Sequence, residues 1–122
     1  MGLYGFFQDD QSLYMVCEYV AGGELFSHLR SRKKFSEKDA KFYICEIISA
    51  LEYLHTLLIA HRDLRPENLL IRADGHLCII DFGFAKIIPE LSFTLCGNPE
   101  YIAPEIIEGK GHGRAVVHTI PL

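Results

Sequence analysis

The sequence predicts an α+β fold, because two hairpin patterns flank one long amphipathic helix. The segments LYGFFQ and LYMVCEYV are rich in aromatic and β-branched residues and are separated by the polar residues 9–12, which is typical of two paired strands. The segment LLIRADGHLCII repeats this pattern around Asp74 and Gly75. Between the hairpins, apolar residues recur at steps of three and four positions, which predicts a helix of about five turns.

The helical region is bounded by recognisable signals. Gly22 and Gly23 end the second strand, and the polar-apolar mixture that follows them predicts a short helix. Ser36 and Asp39 have the spacing of a capping box at the start of the long helix. The apolar positions predicted on one face of the long helix are Ala40, Ile44, Ile47, Leu51, Leu54 and Leu58. This face has to be covered, because burying each Leu or Ile contributes roughly 1.5 to 3 kcal/mol.

Length and charge limit the classes of function. The chain has 122 residues, enough for one small domain, and its 12 basic and 16 acidic residues give a formal net charge of -4. This balance predicts no overall attraction to nucleic acid or to an anionic membrane. The apolar runs are shorter than the roughly 20 residues that span a bilayer, and the N-terminal residues do not predict a signal peptide. We therefore expect neither a nucleic-acid partner nor a membrane partner.

The cysteines indicate a reducing compartment. Cys17, Cys45, Cys78 and Cys96 are widely separated and form no Cys-x-x-Cys pair, so neither a disulfide framework nor a zinc site is predicted. Reduced thiols are typical of cytosolic and nuclear proteins. We expect a cytoplasmic or nuclear location.

Three short motifs follow one another in the second half of the chain. His61-Arg62-Asp63 is followed by Asn68, then by Asp81-Phe82-Gly83, and then by Ala103-Pro104-Glu105. Each motif alone is weak evidence. In this order, with 12 residues between Asn68 and Asp81 and 23 between Asp81 and Glu105, they form the signature set of protein kinases.

The residue types suit phosphoryl transfer. Asp63, in a loop, can accept the proton of an incoming hydroxyl group. Asn68 and Asp81, brought together across the second hairpin, offer the hard oxygen ligands that Mg²⁺ prefers. The structural alternative is that Asp63 caps a turn, Arg62 is a surface charge and Asp81 merely ends a strand.

The resemblance extends to a particular kinase family. The segments LYMVCEYVAGGELFSHLR, RPENLLI, DFGFAK and TLCGNPEYIAPEII resemble the catalytic subunits of cyclic-AMP-dependent protein kinase, of the AGC group, and GKGHGRAV is most similar to the relative called protein kinase X. The resemblance implies a partial protein kinase-like fold: the end of the small lobe, the hinge, and the large lobe through the activation segment. We expect a partial kinase domain at residues 1–116 and a non-matching tail at residues 117–122.

The resemblance also assigns binding residues. It places Glu18 and Val20 in the hinge that pairs with the adenine of ATP, and Leu70 under the base. It assigns Glu24 to the cofactor site and, with Glu67, to the basic side chains of a peptide substrate, which two carboxylates bind through charge-assisted hydrogen bonds. An alternative role for Glu24 is that of a helix N-terminal acid that stabilises the helix dipole.

The implied catalytic set is Asp63 as base, Arg65 beside the transferring phosphate, and Asn68 and Asp81 as metal ligands. Thr94 matches the activation-loop phosphorylation site. Arg62 and Lys86 are expected to pair with the phosphate on Thr94. The expected cofactors are ATP and Mg²⁺, and the expected partners are protein or peptide substrates with basic residues and a cyclic-AMP-responsive regulatory subunit.

Departures from the family pattern leave an alternative open. Arg65 replaces a lysine, and Asn98 replaces the threonine that in the family bridges this lysine and the catalytic aspartate. These two residues either alter that network or re-form an equivalent one. The family's Gly-rich phosphate loop, β3 lysine and αC glutamate precede the matching region. Because these groups hold the phosphates of ATP, we expect the isolated 122-residue chain to be weakly active or inactive. The sequence therefore predicts a serine/threonine protein kinase, with a catalytically inactive truncated fragment or pseudokinase that acts through binding as the alternative. A third hypothesis is a small-molecule phosphotransferase of the same fold.

Overall fold

The computed structural model describes residues 1–94 and 103–113 and confirms the α+β class. The elements in chain order are β1 (Leu3–Gln8), β2 (Leu13–Cys17), α1 (Leu25–Arg32), α2 (Glu37–Thr56), β3 (Ile59–Ala60), a short 3-10 helix (Pro66–Asn68), β4 (Leu69–Ile71), β5 (Leu77–Ile79), β6 (Lys86–Ile87) and α3 (Pro104–Ile107). Strands β1 and β2, β3 and β6, and β4 and β5 form three antiparallel pairs. Among the described helices, none is both long and apolar enough to cross a membrane.

The first hairpin is closed by an aspartate turn. Asp9 Oδ1 accepts hydrogen bonds from the backbone N–H groups of Gln11 and Ser12, both at 2.8 Å. These bonds, with a further one from the Tyr14 hydroxyl, lower the pKa of Asp9 below its ordinary value. Tyr14 also stacks on Phe7 of the facing strand, with ring centroids 4.8 Å apart. The predicted hairpin is therefore confirmed, and its turn residues fix its register.

The β1–β2 hairpin exposes apolar side chains on both of its faces. Because side chains alternate along a strand, Phe6 and Met15 lie on one face while their neighbours Phe7 and Val16 lie on the other. Phe6 is 73% exposed and Met15 is 67% exposed. Strands that are apolar on both sides are typical of the interior of a larger layered structure.

Helix α2 confirms the predicted long helix but ends earlier than its apolar pattern. Ser36 Oγ accepts a hydrogen bond from the Asp39 N–H at 3.1 Å, as the capping box predicts. Ile47 and Leu54 are buried, but Ile44 is exposed. The prediction for Leu58 was wrong: the helix ends at Thr56, and Leu58 has a φ of 61°. The chain turns there because the Leu58 carbonyl accepts a hydrogen bond from the Ile88 N–H, next to β6.

The core lies between α1, α2 and the β4–β5 hairpin. Its buried members are Leu25, Ile47, Leu64, Leu69 and Ile71. Leu64 is 2% exposed and comes directly after Asp63. The core therefore anchors the loop of residues 61–68 from below and limits its movement.

The β4–β5 hairpin is also bound to α2 through Glu46. One carboxylate oxygen of Glu46 accepts a hydrogen bond from the Leu77 N–H at 2.7 Å, and the other contacts His76 Nδ1. The hydrogen bond to Glu46 raises the pKa of His76 above its ordinary value. Gly75, with a φ of 89°, occupies the turn position that favours glycine. The hairpin therefore has a fixed turn and a fixed attachment to the helix.

Candidate active site

Asp63 and Asn68 form the buried centre of the site. Asp63 is 6% exposed and Asn68 is 8% exposed. Asn68 Nδ2 donates to the Asp63 carboxylate oxygen Oδ2 and to the Asp63 backbone carbonyl, both at 2.9 Å. Because both partners are acceptors, the amide nitrogen has to face them, and Asn68 Oδ1 points away from Asp63 as a free acceptor within the described residues. The structure therefore brings together two residues that the sequence assigned to separate roles.

His61 connects this centre to the segment that carries Asp81. His61 Nε2 donates to the Ile80 carbonyl at 3.0 Å, and its Nδ1 accepts from the Asp63 N–H at 3.3 Å. Burial lowers the pKa of His61 below its ordinary value, which favours the neutral ring with its proton on Nε2. The ring also packs edge-on against Phe82, with centroids 4.8 Å apart. The sequence identified His61 as part of a motif but did not predict that its ring connects Asp63 to Ile80.

Asp81 is held near Asn68 through its neighbour Ile80. The Ile80 N–H donates to the Asn68 carbonyl at 2.9 Å, directly before Asp81. Asp81 has a φ of 58°, its side chain is exposed, and its Oδ1 accepts from the Gly83 N–H at 3.2 Å. The predicted approach of Asn68 and Asp81 across the hairpin is thus present in the fold.

These two residues offer donor atoms of the type that Mg²⁺ binds. Asn68 Oδ1 and the exposed Asp81 carboxylate are oxygen donors on adjacent segments. Within the described residues, no group of three His, Cys, Asp or Glu side chains could hold a metal ion. Mg²⁺ does not need such a group, because it commonly binds one or two protein oxygens together with substrate phosphates and water. As a family, protein kinases use ATP and Mg²⁺.

Arg65 and Glu67 contact each other at the rim of the centre. Arg65 Nε lies 3.3 Å from Glu67 Oε2, and both side chains are about three-quarters buried. The two charges are close, but their alignment does not satisfy a hydrogen bond, and these two atoms have no hydrogen-bond partner in the described part of the chain. Sequence reasoning assigned Arg65 to phosphate and Glu67 to substrate. It did not predict that they would contact each other.

The predicted hinge residues lie on the segment between β2 and α1. Glu18 and Val20 line a cavity of about 280 Å³ together with Arg72 and Asp74. Leu70 is half-buried and forms a backbone bridge with Glu24. The structure therefore places Glu18, Val20 and Glu24 along one stretch of chain, and the fourth predicted cofactor-binding residue, Leu70, on β4 beside it. Glu24 is also the N-cap residue of α1, and its side chain is exposed and makes no capping hydrogen bond.

Two further residues hold this segment, and the sequence analysis missed their role. The Gly22 N–H donates to the Ile71 carbonyl at 2.9 Å, and a Cβ atom at Gly22 would lie 2.2 Å from that oxygen. From helix α1, His28 Nε2 donates to the Gly22 carbonyl at 2.7 Å. The adjacent glycines were interpreted as a strand terminator, although close backbone approach is the other common reason for glycine.

Thr94 lies near polar side chains, and Arg62 has an unsatisfied donor elsewhere in the described residues. Ser92 Oγ lies 3.4 Å from Lys86 Nζ and 3.4 Å from the Thr94 hydroxyl oxygen. Arg62, with a φ of 65°, donates from Nε to the Phe84 carbonyl at 2.7 Å. Its buried Nη1 has no hydrogen-bond partner within the described residues. Lys86 therefore lies near Thr94, and Arg62 keeps a donor available. The phosphosite role itself stays a prediction.

Three sequence predictions lie outside the described residues. They concern Asn98, the side chain of Glu105, and the tail of residues 117–122.

Comparison with known proteins decides the family. A model of the protein kinase domain matches residues 1–117. The chain belongs to the protein kinase family. It is 60% identical over 95% of its length to the cAMP-dependent protein kinase catalytic subunit of Dictyostelium discoideum, and 62% identical over 89% of its length to catalytic subunit 3 of Drosophila melanogaster. It is 56% identical over 93% of its length to the human cAMP-dependent protein kinase catalytic subunit PRKX.

These matches confirm the resemblance to cyclic-AMP-dependent kinase catalytic subunits, including the protein kinase X type. They also confirm the partial kinase-like fold. The chain spans 18%, 19% and 32% of the lengths of these three relatives. Because the chain covers less than a third of each of these relatives, kinase activity is a proposal for this chain.

Proposed function

We propose that this chain carries the large-lobe catalytic residues of a serine/threonine protein kinase, which transfers the γ-phosphoryl group of ATP to a Ser or Thr hydroxyl. The observation that carries the proposal is the pair of hydrogen bonds from Asn68 Nδ2 to Asp63. These bonds orient the Asp63 carboxylate and leave Asn68 Oδ1 free to bind a metal ion together with Asp81. One buried pair thereby serves both the acceptor hydroxyl and the metal.

Each residue has a distinct role in this proposal. Asp63 orients the acceptor hydroxyl and takes its proton, for which its buried, hydrogen-bonded carboxylate is suited. Asn68 and Asp81 hold Mg²⁺, which neutralises charge on the phosphate oxygens when it is bound. Arg65 Nε lies close to Glu67 but forms no hydrogen bond with it. The guanidinium group therefore has donors that can turn to the transferring phosphate.

The substrate and partner assignments follow the same family. Glu24 is exposed, so its carboxylate is accessible to a basic side chain of a peptide substrate. Glu67 is about three-quarters buried beside Arg65, and its buried carboxylate oxygen has no hydrogen-bond partner within the described residues, which suits it to a basic side chain that reaches the rim of the centre. The names of the relatives describe cAMP-dependent catalytic subunits, which supports a cyclic-AMP-responsive regulatory subunit as a partner. We further propose a cytoplasmic or nuclear location, which the free thiols of Cys17, Cys45 and Cys78 support.

A thermal melt with and without Mg·ATP tests nucleotide binding. A ligand present at about 100 times its Kd stabilises the native state by about 2.7 kcal/mol. We expect a rise in Tm for the unmodified chain and a smaller rise for Asp81→Asn. Asparagine tolerates the positive φ at this position and removes the charge. An equal rise in both proteins would contradict the metal role of Asp81.

A phosphotransfer assay tests the catalytic role of Asp63. Asp63→Asn keeps an oxygen that can accept the hydrogen bond from Asn68, so the loop should stay folded. We expect its rate on a serine peptide with neighbouring arginines to fall by about 100- to 10,000-fold, the usual contribution of a positioned acid-base group. A rate equal to that of the unmodified chain would reject the assignment. Nucleotide binding without phosphotransfer in the unmodified chain would favour the binding-only alternative.

A further inference from the structure

The segment between β2 and α1 is joined to the β4–β5 hairpin at several points. We call residues 18–24 the hinge segment. In its second half, the Gly22 N–H donates to the Ile71 carbonyl and the Ile71 N–H donates to the Gly23 carbonyl, both at 2.9 Å. A backbone bridge between Glu24 and Leu70 follows. Backbone hydrogen bonds therefore fix the second half of the hinge segment to strand β4.

The first half of the hinge segment is attached through side chains. Arg72, directly after β4, places Nη1 3.1 Å from Glu18 Oε1. The other carboxylate oxygen of Glu18 accepts from the Gly2 N–H at 3.0 Å, and the Glu18 N–H donates to the Gly2 carbonyl at 2.8 Å. Arg72 Nη2 lies 3.5 Å from Cys78 Sγ on β5. A single arginine thus connects the hinge segment to the second strand of the hairpin.

Both side chains are suited to hold this connection in place. The Glu18 side chain is 33% exposed and that of Arg72 is 39% exposed, so solvent screens the pair in part but does not surround it. The hydrogen bond from Gly2 and the charge of Arg72 lower the pKa of Glu18 below its ordinary value, which keeps it ionised. The planar guanidinium group can contact Glu18 and Cys78 at the same time. The ammonium group of a lysine is a compact point charge and is less suited to contact both.

We propose that Arg72 is a positioning residue for nucleotide binding, because it holds Glu18 and thereby sets the place of the hinge segment over β4. This inference rests on the proposed kinase function for the role of the hinge. Strand β4 begins directly after Asn68, so the same hairpin carries the metal-side residue at one end and Arg72 at the other. The link therefore couples the position of the adenine-side segment to that of the catalytic loop.

The link predicts a specific kinetic effect. Within the described residues, Arg72 forms no hydrogen bond with Asp63 or Asn68, whose side chains are hydrogen-bonded to each other. Loss of the guanidinium group should shift the hinge segment without changing the acid-base centre. We expect Arg72→Met to raise KM for ATP by about fivefold, the upper range for a partly exposed ion pair, with little change in kcat. Arg72→Lys, which keeps the charge but loses the second donor that reaches Cys78, should recover only part of the loss.

A second measurement does not depend on kinase activity. Amide hydrogen exchange at Glu18 reports the opening of the hinge segment, because this N–H is bound to the Gly2 carbonyl. We expect exchange at Glu18 to be about fivefold faster in Arg72→Met. The conservative Glu18→Gln variant should give a similar increase, and the double variant should be no faster than Arg72→Met, since the two residues act through one link. Lys41→Met is the matched control, because it removes an exposed cation from the Glu37–Lys41 pair on α2.

The outcomes separate the two proposals. If exchange at Glu18 is no faster in Arg72→Met than in Lys41→Met, Arg72 does not hold the hinge segment and the inference is wrong. Additive effects of Glu18→Gln and Arg72→Met would overturn it as well. If exchange follows the prediction but the unmodified chain does not bind Mg·ATP, the link exists and the proposed kinase function fails. Faster exchange with a lower kcat and an unchanged KM would reject a role in positioning nucleotide.

Discussion

Replacing Gly22 with alanine tests how tightly the hinge segment is fixed to strand β4. A Cβ atom at Gly22 would lie 2.2 Å from the Ile71 carbonyl oxygen and 2.9 Å from its carbonyl carbon. Non-bonded heavy atoms of this kind are normally separated by about 3.5 Å, so the two backbones have to move apart by about 1 Å. That movement breaks the hydrogen bond from Gly22 to Ile71 and strains the one from Ile71 to Gly23.

The magnitude follows from these contacts. Each backbone hydrogen bond contributes about 0.5 to 1.5 kcal/mol net, so losing both costs about 1 to 3 kcal/mol. Alanine recovers about 0.4 to 1 kcal/mol, because it restricts the unfolded chain. We expect Gly22→Ala to lower the free energy of unfolding by up to about 2.6 kcal/mol. Urea titration measures this change, and the Tm should fall by several degrees.

The matched control is Gly5→Ala in β1. No heavy atom lies within 4 Å of a Cβ placed at Gly5, so this substitution should leave stability unchanged or slightly raised. Identical unfolding midpoints for Gly22→Ala and Gly5→Ala would show that the hinge segment is not packed against Ile71 as described. The reasoning on close backbone approach would then be wrong.

Three further predictions concern specificity, pH and modification. Glu67→Gln should reduce the preference for basic peptides, whereas Arg65→Lys, which loosens the contact with Glu67, should increase this preference. The ratio of kcat/KM for an arginine peptide to kcat/KM for its alanine counterpart measures both effects. An unchanged ratio in both variants would reject the substrate role of Glu67. Because Glu46 raises the pKa of His76, this pair contributes its full stabilisation below the ordinary histidine pKa of about 6.5 and loses it as the pH rises through the raised pKa. The urea midpoint of the unmodified chain should therefore fall more steeply between about pH 6 and pH 8 than that of Glu46→Gln. Parallel curves for the two proteins would contradict this prediction. Phosphorylation of Thr94 should raise the Tm through new charge-assisted hydrogen bonds, and the increase should shrink at high salt; a lower Tm would contradict the predicted pairing.

Local patterns predicted the elements well, because their causes lie close together in the sequence. The spacing of apolar residues indicated α2, and Asp74 with Gly75 indicated the turn between β4 and β5. The order of motifs placed Asn68 and Asp81 on neighbouring segments, since a short hairpin can only bring its two ends together. The extent of α2 was less predictable. Leu58 continues the apolar pattern, yet its carbonyl bonds to the distant Ile88, which sequence periodicity cannot reveal.

Contacts between residues far apart in sequence account for most of what was missed at the site. The link between Glu18 and Arg72 joins positions separated by 54 residues. The sequence analysis assigned Glu18 to the hinge but gave Arg72 no role. The role of Gly22 depends on the approach of Ile71, which no local signal encodes. The contact between Arg65 and Glu67 depends on the short 3-10 helix, which turns two nearby charges toward each other.

The β1–β2 hairpin makes protein concentration an experimental variable. Its two strands have no further strand beside them in the described part of the chain, and both faces carry exposed aromatic and aliphatic side chains. Open strand edges next to apolar surface favour pairing with another molecule. We therefore expect light scattering to rise with concentration and apparent unfolding midpoints to drift in a dilution series. Substituting Phe6 and Met15 with lysine should suppress both effects, and so give the melts and titrations a monomeric reference.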